Sequence, residues 1–252
     1  MLRNSDYIGI IPARYGSTRF PGKPLAEIDG MTMVERVYRQ ASKVLDRVVV
    51  ATDDERIASA VEGFGGKAVM TSHDCANGTA RVWEAYRKLG ETAAVVINIQ
   101  GDEPYIHPEQ IRGVMQLFAD DPLTQIGTLA HKFDKELGFE ALFNPNRVKM
   151  TMDVAGKVLY FSRSIIPYVR NYKWQEWLSH ATFYTHIGLY GFRKEVLERV
   201  VTLPPSQLEE AEALEQLRWL ENGLLIRAAL TTIPSYPVDT PEDLEKLPHH
   251  SF

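Results

Sequence analysis

The sequence predicts an α/β fold in which a mostly parallel sheet is flanked by helices. Short runs rich in Val and Ile alternate, through the first half of the chain, with segments whose apolar residues recur at helical spacing. The apolar runs carry few polar positions, as expected for strands buried on both faces. This alternation is typical of parallel strands joined by right-handed helical crossovers.

Each element of the first half has its own signal. The strand runs are "YIGII" (7–11), "RVVVATD" (47–53), "KAVM" (67–70) and "AAVVINI" (93–99). Apolar residues three or four positions apart predict three helices between these strands, marked by Met33, Val34, Val37 and Ala41, by Ile57, Ala58 and Val61, and by Val82, Ala85, Tyr86 and Leu89. Gly63 and Gly90 end the second and third of these helices.

The second half is richer in β signals. "VKMTMDVAGKVLYFSRSIIP" (148–167) predicts two β segments around an Ala-Gly turn, and 183–192 and 225–231 predict further strands. The stretch 205–223 predicts one long helix, with a Ser206–Glu209 capping box and Gly223 at its end. "TPEDLEKL" predicts a short final helix with Thr240 as its N-cap. We therefore expect one domain over residues 1–252, with a β-rich insertion at about 150–195.

Composition excludes several function classes. The formal net charge is −5, whereas nucleic-acid and membrane surfaces are usually basic, so neither partner is expected. Cys75 is the only cysteine, which rules out an internal disulfide and favours a cytoplasmic protein. No signal peptide and no apolar run of about 20 residues is present, so no membrane span is expected.

The loop "IPARYGSTRFPGKPL" concentrates positive charge after the first strand. Arg14, Arg19 and Lys23 lie within ten residues that contain no acid. The spacing fits neither a Walker A loop nor the dinucleotide fingerprint. Glycines, hydroxyls and fixed cations suit a polyphosphate, because charge-assisted hydrogen bonds to phosphate are strong. The alternative is a solvated surface loop.

A second polar segment, "GDEP" (101–104), follows the strand that ends near Ile99. In a parallel sheet the carboxyl ends of the strands open on one rim, where ligands bind. The charged loop and "GDEP" should therefore lie on the same rim.

Eight blocks, in order, resemble those of the 3-deoxy-manno-octulosonate (Kdo) cytidylyltransferase family: "IPARYGSTRFPGKPL", "VATDDERI", "NIQGDEP", "FNPNRVK", "LYFSRSIIP", "HIGLYGF", "LEQLR" and "VDTPEDL". They extend from residue 10 to residue 244. The resemblance implies a Rossmann-like nucleotidyltransferase sheet with a β-rich dimerisation subdomain. It also implies an Mg²⁺-dependent enzyme that joins CTP to the sugar acid Kdo, releases pyrophosphate and serves lipopolysaccharide biosynthesis.

The resemblance assigns roles to residues of the first loop and of the acidic segments. Lys23, Arg14, Asp102 and Asp239 are the implied catalytic residues, and Asp102 and Asp239 the implied Mg²⁺ ligands. The implied nucleotide contacts are Pro12, Ala13, Arg14, Arg19, Lys23, Asn77, Gly78, Arg81 and Gln100. For Asp239 the alternative is a helix cap, but Thr240 and Pro241 already occupy capping positions. For Glu103 the alternative is a structural role.

The implied sugar contacts come mainly from the second half: Gln100, Arg163, His186, Tyr190, Glu215 and Gln216. Each has an ordinary alternative: a core position for His186, a surface position for Arg163, and solvent exposure for Glu215 and Gln216. Arg218 is an alternative brace for their helix.

One block departs from the family pattern. Relatives usually read His-x-Ser-Gly-Thr-Glu/Asp-Arg, whereas this chain reads "CANGTAR" (75–81). Cys75, Asn77 and Ala80 replace the His, the Ser and the acid, while Gly78, Thr79 and Arg81 are kept. In the family this segment lies near the nucleotide base, so the departures fall where the resemblance implies base contacts. Cys75 has the alternative of an inert apolar filler.

Three alternative functions stay open from sequence: a CMP-sialic acid synthetase, a cytidylyltransferase for 8-amino-Kdo, and a non-catalytic nucleotide-binding relative. The presence of both Asp102 and Asp239 argues against the last. Aromatic residues crowd the stretch 158–192. Because aromatic residues are enriched at interfaces and the family forms homodimers through this region, a homodimer is expected.

Overall fold

A computed structural model describes residues 2–247. The strands are β1 (Tyr7–Ala13), β2 (Glu27–Ile28), β3 (Met31–Thr32), β4 (Val48–Thr52), β5 (Ala68–Met70), β6 (Val95–Asn98), β7 (Ile126–Lys132), β8 (Lys149–Met152), β9 (Val158–Ser162), β10 (Tyr184–Arg193) and β11 (Ile226–Thr231). The helices are α1 (Met33–Ala41), α2 (Glu55–Gly63), α3 (Gly78–Leu89), α4 (Pro108–Asp120), α5 (Gly138–Leu142), α6 (Trp177–His180), α7 (Lys194–Val200), α8 (Gln207–Glu212), α9 (Glu215–Glu221) and α10 (Pro241–Leu244).

The chain divides into two compact units. The first unit contains Met1–Arg112, Gly191–Val201 and Ser235–Phe252, and the second contains Gly113–Tyr190 and Thr202–Pro234. The expectation of a single domain with an insertion at about 150–195 stays a prediction. None of the helices within residues 2–247 combines the length and the apolar character that crossing a membrane requires.

The first unit is built on parallel strands in the order β6-β1-β4-β5. Ile10 of β1 lies opposite Val49 of β4 on one side and Asn98 of β6 on the other. Every residue of β4 and of β6 is buried. This confirms the prediction from the apolar runs, which have no face to offer to solvent.

The second unit mixes parallel and antiparallel pairing. β7 and β11 pair in parallel, with Ile126 opposite Ile226. β8 and β9 form an antiparallel hairpin, and β10 pairs with β8 in the antiparallel sense. Gly156 takes a left-handed φ of 76° in the predicted Ala-Gly turn of that hairpin. A mostly parallel sheet flanked by helices, as predicted, thus carries a β-rich stretch in its second half.

The predicted helix over 205–223 is wrong as a single element. The Ser206–Glu209 capping box is present, but α8 stops at Glu212 and α9 starts at Glu215. Ala213 between them has a left-handed φ of 49°. The sequence "AEALEQ" contains no helix breaker, so the interruption depends on tertiary contacts to the end of α8, described below.

Candidate active site

The charged loop leaves the end of β1 in the first unit. Pro12 and Ala13 are the last residues of that strand, and Arg14 begins the loop. The exposed Arg14 side chain makes no hydrogen bond or ion pair with any residue between 2 and 247. Arg14 is therefore a cation available to a ligand.

The other two loop cations are paired with the two predicted metal ligands. Lys23 Nζ donates to Asp102 Oδ2 at 2.8 Å and to the Val238 carbonyl at 2.9 Å. The same nitrogen lies 3.9 Å from Asp239 Oδ1. Arg19 Nη2 donates to that Asp239 oxygen at 3.0 Å. Four residues far apart in sequence thus form one cluster, which we call the ion-pair cluster: Arg19, Lys23, Asp102 and Asp239.

Backbone contacts hold the two acidic segments of this cluster together. The Val238 amide donates to the Asp102 carbonyl at 2.9 Å. Asp243 Oδ2 accepts from the amides of Asp239 and Thr240, so Asp243 and Thr240 cap α10. The Asp239 carboxylate consequently takes no part in capping and points to Arg19 instead, in agreement with the argument from sequence.

The predicted common rim of the charged loop and the "GDEP" segment is present. A Cβ atom on Gly101 would lie 2.9 Å from the Pro12 carbonyl oxygen, which is closer than real Cβ contacts allow. Glycine at this position therefore lets the chain after β6 pass directly against the end of β1. The neighbouring Gln100 side chain donates to Asn98 Oδ1 at 3.3 Å.

Glu103 is a buried support of the acidic segments. Its Oε1 accepts from Ser235 Oγ at 2.5 Å, and only 7% of the residue is exposed. Burial raises the pKa of Glu103 to about 7, against the opposing effect of the Ser235 hydrogen bond. The bond joins the turn after β6 to the segment that carries Asp239, which favours the structural alternative for Glu103.

The 75–81 block starts α3 beside the end of β1. Asn77 is the N-cap, and its Oδ1 accepts from the Ala80 amide at 2.8 Å. Asn in place of the family's Ser therefore preserves the cap, since both residue types cap well. A Cβ on Gly78 would lie 3.5 Å from Pro12 Cγ, an ordinary contact. The structure brings Pro12 and Gly78 together as predicted, but the contact itself does not require glycine.

Arg81 is directed into the protein. Its side chain is 4% exposed, and Nη2 donates to Asp53 Oδ2 at 2.8 Å while Nη1 donates to Thr71 Oγ1 at 2.6 Å. Such a guanidinium braces the block against neighbouring strands. Cys75 Sγ lies 3.1 Å from Glu84 Oε2, and burial together with this carboxylate raises the thiol pKa to about 11. The thiol is therefore protonated near neutral pH, in agreement with an inert role.

The acids of the ion-pair cluster suit Mg²⁺ bound through a substrate. Among residues 2–247 no group of three or more His, Cys, Asp or Glu side chains could hold a metal ion alone. Mg²⁺ usually takes one or two carboxylates and completes its shell with water and substrate phosphates. Asp102 and Asp239, both within 4 Å of Lys23 Nζ, match that donor set.

The second unit carries most of the predicted sugar contacts. The imidazole of His186 lies 5.0 Å from the ring of Phe161 and 5.3 Å from that of Tyr190, between centroids. His186 Nε2 is 3.0 Å from Thr128 Oγ1. Part of the residue stays accessible, but the packed protein around the imidazole lowers its pKa to about 3. His186 is therefore a neutral hydrogen-bonding group near neutral pH.

The break between α8 and α9 places Glu215 and Gln216 at the start of a helix. Gln216 is buried and Glu215 half-buried, which argues against the alternative of solvent exposure for this pair. Burial and the nearby Glu215 carboxylate raise the pKa of Tyr190, so these two residues are close. Arg218 donates to Glu215 Oε1 at 3.1 Å and to the Leu203 carbonyl at 3.0 Å, as expected of a brace.

Arg163 explains the helix break. Its Nε and Nη2 donate to the carbonyls of Glu212 and Ala213, and Nη1 donates to the Pro145 carbonyl. The bonds to Glu212 and Ala213 satisfy carbonyls that the end of α8 leaves without helical partners. Glu212 in turn accepts from Ser162 Oγ at 2.6 Å and from the Arg163 amide at 2.8 Å. Arg163 is thus a brace rather than an exposed surface residue.

Two residues near this brace were missed from the sequence. Glu212 was hidden in an acidic helix, where solvent exposure is the usual expectation. Lys149 is fully buried, and burial lowers its pKa to about 8. Its Nζ donates to the Asn144 carbonyl at 3.1 Å. A lysine at the edge of an apolar strand gave no signal of this burial.

An α/β fold with a cluster of cations and paired acids at the carboxyl ends of parallel strands is the architecture expected of a nucleotidyltransferase. The chain belongs to the cytidylyltransferase family, whose profile matches residues 8–227. It is 56% identical over 241 residues to the 3-deoxy-manno-octulosonate cytidylyltransferase of Parabacteroides distasonis, covering 95% of this chain and 96% of the relative. The enzyme of the same name from Porphyromonas gingivalis is 51% identical and covers 96% and 95% of the two chains.

Solved structures support the same family assignment and fold. A CMP:2-keto-3-deoxy-manno-octonic acid synthetase in complex with CTP superposes with a TM-score of 0.87 at 42% identity, over 95% of both chains. A 4-diphosphocytidyl-2C-methyl-D-erythritol synthase from Anaerococcus prevotii shares only the fold, with a TM-score of 0.60 at 11% identity over 96% of both chains.

Proposed function

We propose that this enzyme transfers the cytidylyl group of CTP to 3-deoxy-manno-octulosonate. The observation that carries the proposal is the ion-pair cluster, whose two cations and two carboxylates are the groups that a metal-bound triphosphate requires. Relatives at 51% and 56% identity named for this reaction support the choice of substrates.

In the proposed reaction a sugar hydroxyl oxygen attacks the α-phosphorus of CTP. A new oxygen–phosphorus bond forms, the bond to the β-phosphate oxygen breaks, the hydroxyl proton leaves to solvent, and pyrophosphate is released. Catalysis of such transfers is mainly positioning and charge stabilisation. Arg14, Arg19 and Lys23 would bind the phosphates, and Lys23 would stabilise charge on the leaving group.

We further propose that Asp102 and Asp239 hold Mg²⁺ when the nucleotide is bound. The ion would neutralise phosphate charge, which is its usual contribution to such reactions. The loop cations that pair with these acids in the absence of ligand would then turn to the phosphates, so every charge keeps an opposite partner in both states.

The sugar acid would contact the groups gathered in the second unit. His186, Tyr190, Glu215 and Gln216 offer neutral and anionic hydrogen-bonding groups suited to hydroxyls. Arg163 would act mainly through its brace on the α8–α9 junction, because three backbone carbonyls already occupy its guanidinium.

A homodimer is proposed through an aromatic groove of about 930 Å³ in the second unit. Exposed rings line it: Phe143 (56% exposed), Tyr168 (73%), Tyr172 (44%) and Trp174 (45%). Exposed aromatic surface of this kind is typical of interfaces. Light scattering should give the dimer mass, and Trp174→Glu should give the monomer mass. A monomeric wild-type protein at micromolar concentration would contradict the proposal.

The direct test of function mixes the purified enzyme with Mg²⁺, a nucleotide and a sugar acid, and follows pyrophosphate. CTP with Kdo should react far faster than ATP or GTP with Kdo. Parallel reactions with 8-amino-Kdo and a sialic acid test the alternatives. Preference for either of those acids would change the substrate, and absence of pyrophosphate with all three would leave a non-catalytic nucleotide-binding protein.

A further inference from the structure

Arg56, at the start of α2, stacks on the charged loop. Its guanidinium carbon lies 3.3 Å from the centroid of the Tyr15 ring. Cation–π contacts count as significant out to about 6 Å, so this one is close. Neither residue belongs to the proposed catalytic or binding groups, yet Tyr15 lies between Arg14 and Arg19 in sequence.

Asp54 fixes the orientation of the guanidinium. Arg56 Nε donates to Asp54 Oδ1 at 2.9 Å, and Nη2 donates to Oδ2 at 2.6 Å. Asp54 is also the N-cap of α2 and accepts from the Arg56 amide at 2.9 Å. The planar group that faces Tyr15 is therefore anchored to a helix of the first unit by a two-point contact, which only arginine can make.

Tyr15 in turn contacts Gly22, the residue before Lys23, across the charged loop. Its carbonyl accepts from the amides of Ser17 and Gly22, each at 2.9 Å. Gly22 has a left-handed φ of 70°, and a Cβ there would lie 3.1 Å from Tyr15 Cε2 and 3.3 Å from Tyr15 Oη. The ring thus packs directly on the backbone of Gly22, and the next residue, Lys23, reaches the ion-pair cluster.

From this chain of contacts we infer that Arg56 is a positioning residue for the phosphate-binding loop. By stacking on Tyr15, Arg56 stabilises the hydrogen bond between the Gly22 amide and the Tyr15 carbonyl. This limits the conformations of the segment that carries Arg19 and Lys23. A loop ordered before the nucleotide arrives loses less conformational freedom on binding, which raises affinity. The inference rests on the proposed function, since it assumes that the loop binds the CTP phosphates.

Two measurements on the full-length protein test this: CTP and pyrophosphate affinity by calorimetry, and hydrogen exchange of the Gly22 amide without ligand. Arg56→Met should raise the dissociation constants about two- to fivefold, as expected for losing one partly exposed cation–π contact. It should also speed exchange at Gly22 while α2 stays protected. Tyr15→Leu should do the same, and the double variant should be no worse than the weaker-binding single variant, because both changes remove one shared contact.

Conservative variants and a control variant distinguish a positioning role of Arg56 from a simple effect of its positive charge on CTP binding. Tyr15→Phe keeps the ring and should behave as wild type, whereas Arg56→Lys keeps the charge but should not restore affinity. Arg39→Met is the matched control: Arg39 bonds Glu35 and lies 5.9 Å from the Phe64 ring, and neither partner belongs to the charged loop. Its CTP affinity should be that of wild type.

The outcomes distinguish the two proposals. If wild type binds CTP and Arg56→Met binds it equally well, or if Arg56→Lys fully restores affinity, the positioning role is wrong and the proposed function stands. Unchanged exchange at Gly22 in Arg56→Met would equally refute positioning. A wild-type protein that bound neither CTP nor pyrophosphate would refute the proposed function, and the positioning role with it.

Discussion

Replacing Lys23 with alanine removes the cation that lies between the two acids. Its Nζ bonds Asp102 at 2.8 Å and the Val238 carbonyl at 2.9 Å, and its side chain is only 15% exposed. In the proposed reaction this nitrogen stabilises charge on the departing pyrophosphate. Lys23→Ala should therefore weaken CTP binding and, above all, lower kcat, because the contact strengthens in the transition state.

The size of the effect follows from the surroundings of Lys23. A preorganised donor in a partly dry site typically contributes about 2.7–4 kcal/mol to the barrier, or about 10²–10³ in kcat. Asp102 is 32% exposed, so water can solvate it when Lys23 is gone. The free energy of unfolding should then fall by only about 1 kcal/mol, as for a partly exposed ion pair. The variant should therefore lose nearly all of its activity while it stays folded.

Pyrophosphate release at saturating CTP and sugar measures kcat, and urea unfolding measures stability. Lys88→Ala is a matched control, because Lys88 Nζ also bonds one carboxylate, Glu84 at 2.8 Å, and one carbonyl, Met70 at 2.9 Å. Lys88 lies outside the proposed site, and its loss should leave kcat unchanged. A Lys23→Ala enzyme within threefold of wild-type kcat would refute the proposed role of Lys23.

Three further predictions concern the acids and the sugar side. Asp102→Asn and Asp239→Asn should each remove most activity at limiting Mg²⁺ without unfolding the protein, since an amide is a poor ligand for a hard cation; near-normal rates in both would remove them from the metal site. His186→Ala and Gln216→Ala should raise the KM for the sugar acid with little change in CTP affinity by calorimetry; loss of CTP binding in His186→Ala would move that residue to the nucleotide. The pKa of His186 falls from 6.5 to about 3 on folding, so the unfolded chain binds more protons between those pH values. The neutral His186 therefore adds fully to the free energy of unfolding above pH 6.5. As the pH falls from 6.5 towards 3, the free energy of unfolding decreases by at most about 1.4 kcal/mol per pH unit. His186→Gln should lessen the loss of urea stability between pH 7 and pH 5, and an identical loss would contradict this.

Strands and helices are predicted correctly where the hydrophobic periodicity agrees with the residues that end an element, such as glycine. The parallel strands of the first unit follow from runs such as 93–99, which offer no polar face, and Gly90 ends α3 in the left-handed conformation expected of a C-cap. The common rim also followed from topology, because parallel strands end on one edge. The strands and the helix end depend on local residue types, and the common rim depends on the general rule that parallel strands end on one edge of the sheet.

The features that sequence missed depend on contacts between distant residues. Nothing in "AEALEQ" predicts that a helix stops at Ala213, because the stop is fixed by Arg163, about fifty positions earlier. Burial of Lys149 and of Gln216 has the same origin. The motif assigns Arg81 to the nucleotide, and that contact stays a prediction, whereas the hydrogen bonds of Arg81 to Asp53 and Thr71 had no signal in the sequence. A motif gives the residue type at a site but not the direction of its side chain.

The ion-pair cluster suggests why the motifs of this site are shared as a set. A loop with three cations, alone on a rim, would repel itself and stay mobile, and two neighbouring carboxylates would do the same. Paired as Arg19 with Asp239 and Lys23 with Asp102, each side instead holds the other in place. In the proposed complex, Mg²⁺ bound to CTP would offer every member a partner at once, with phosphate oxygens facing the cations and the metal facing the acids. Under the proposed function, CTP alone or Mg²⁺ alone would break these pairs and leave some of the charges without a partner. We therefore expect the site to bind the metal–nucleotide complex better than either part.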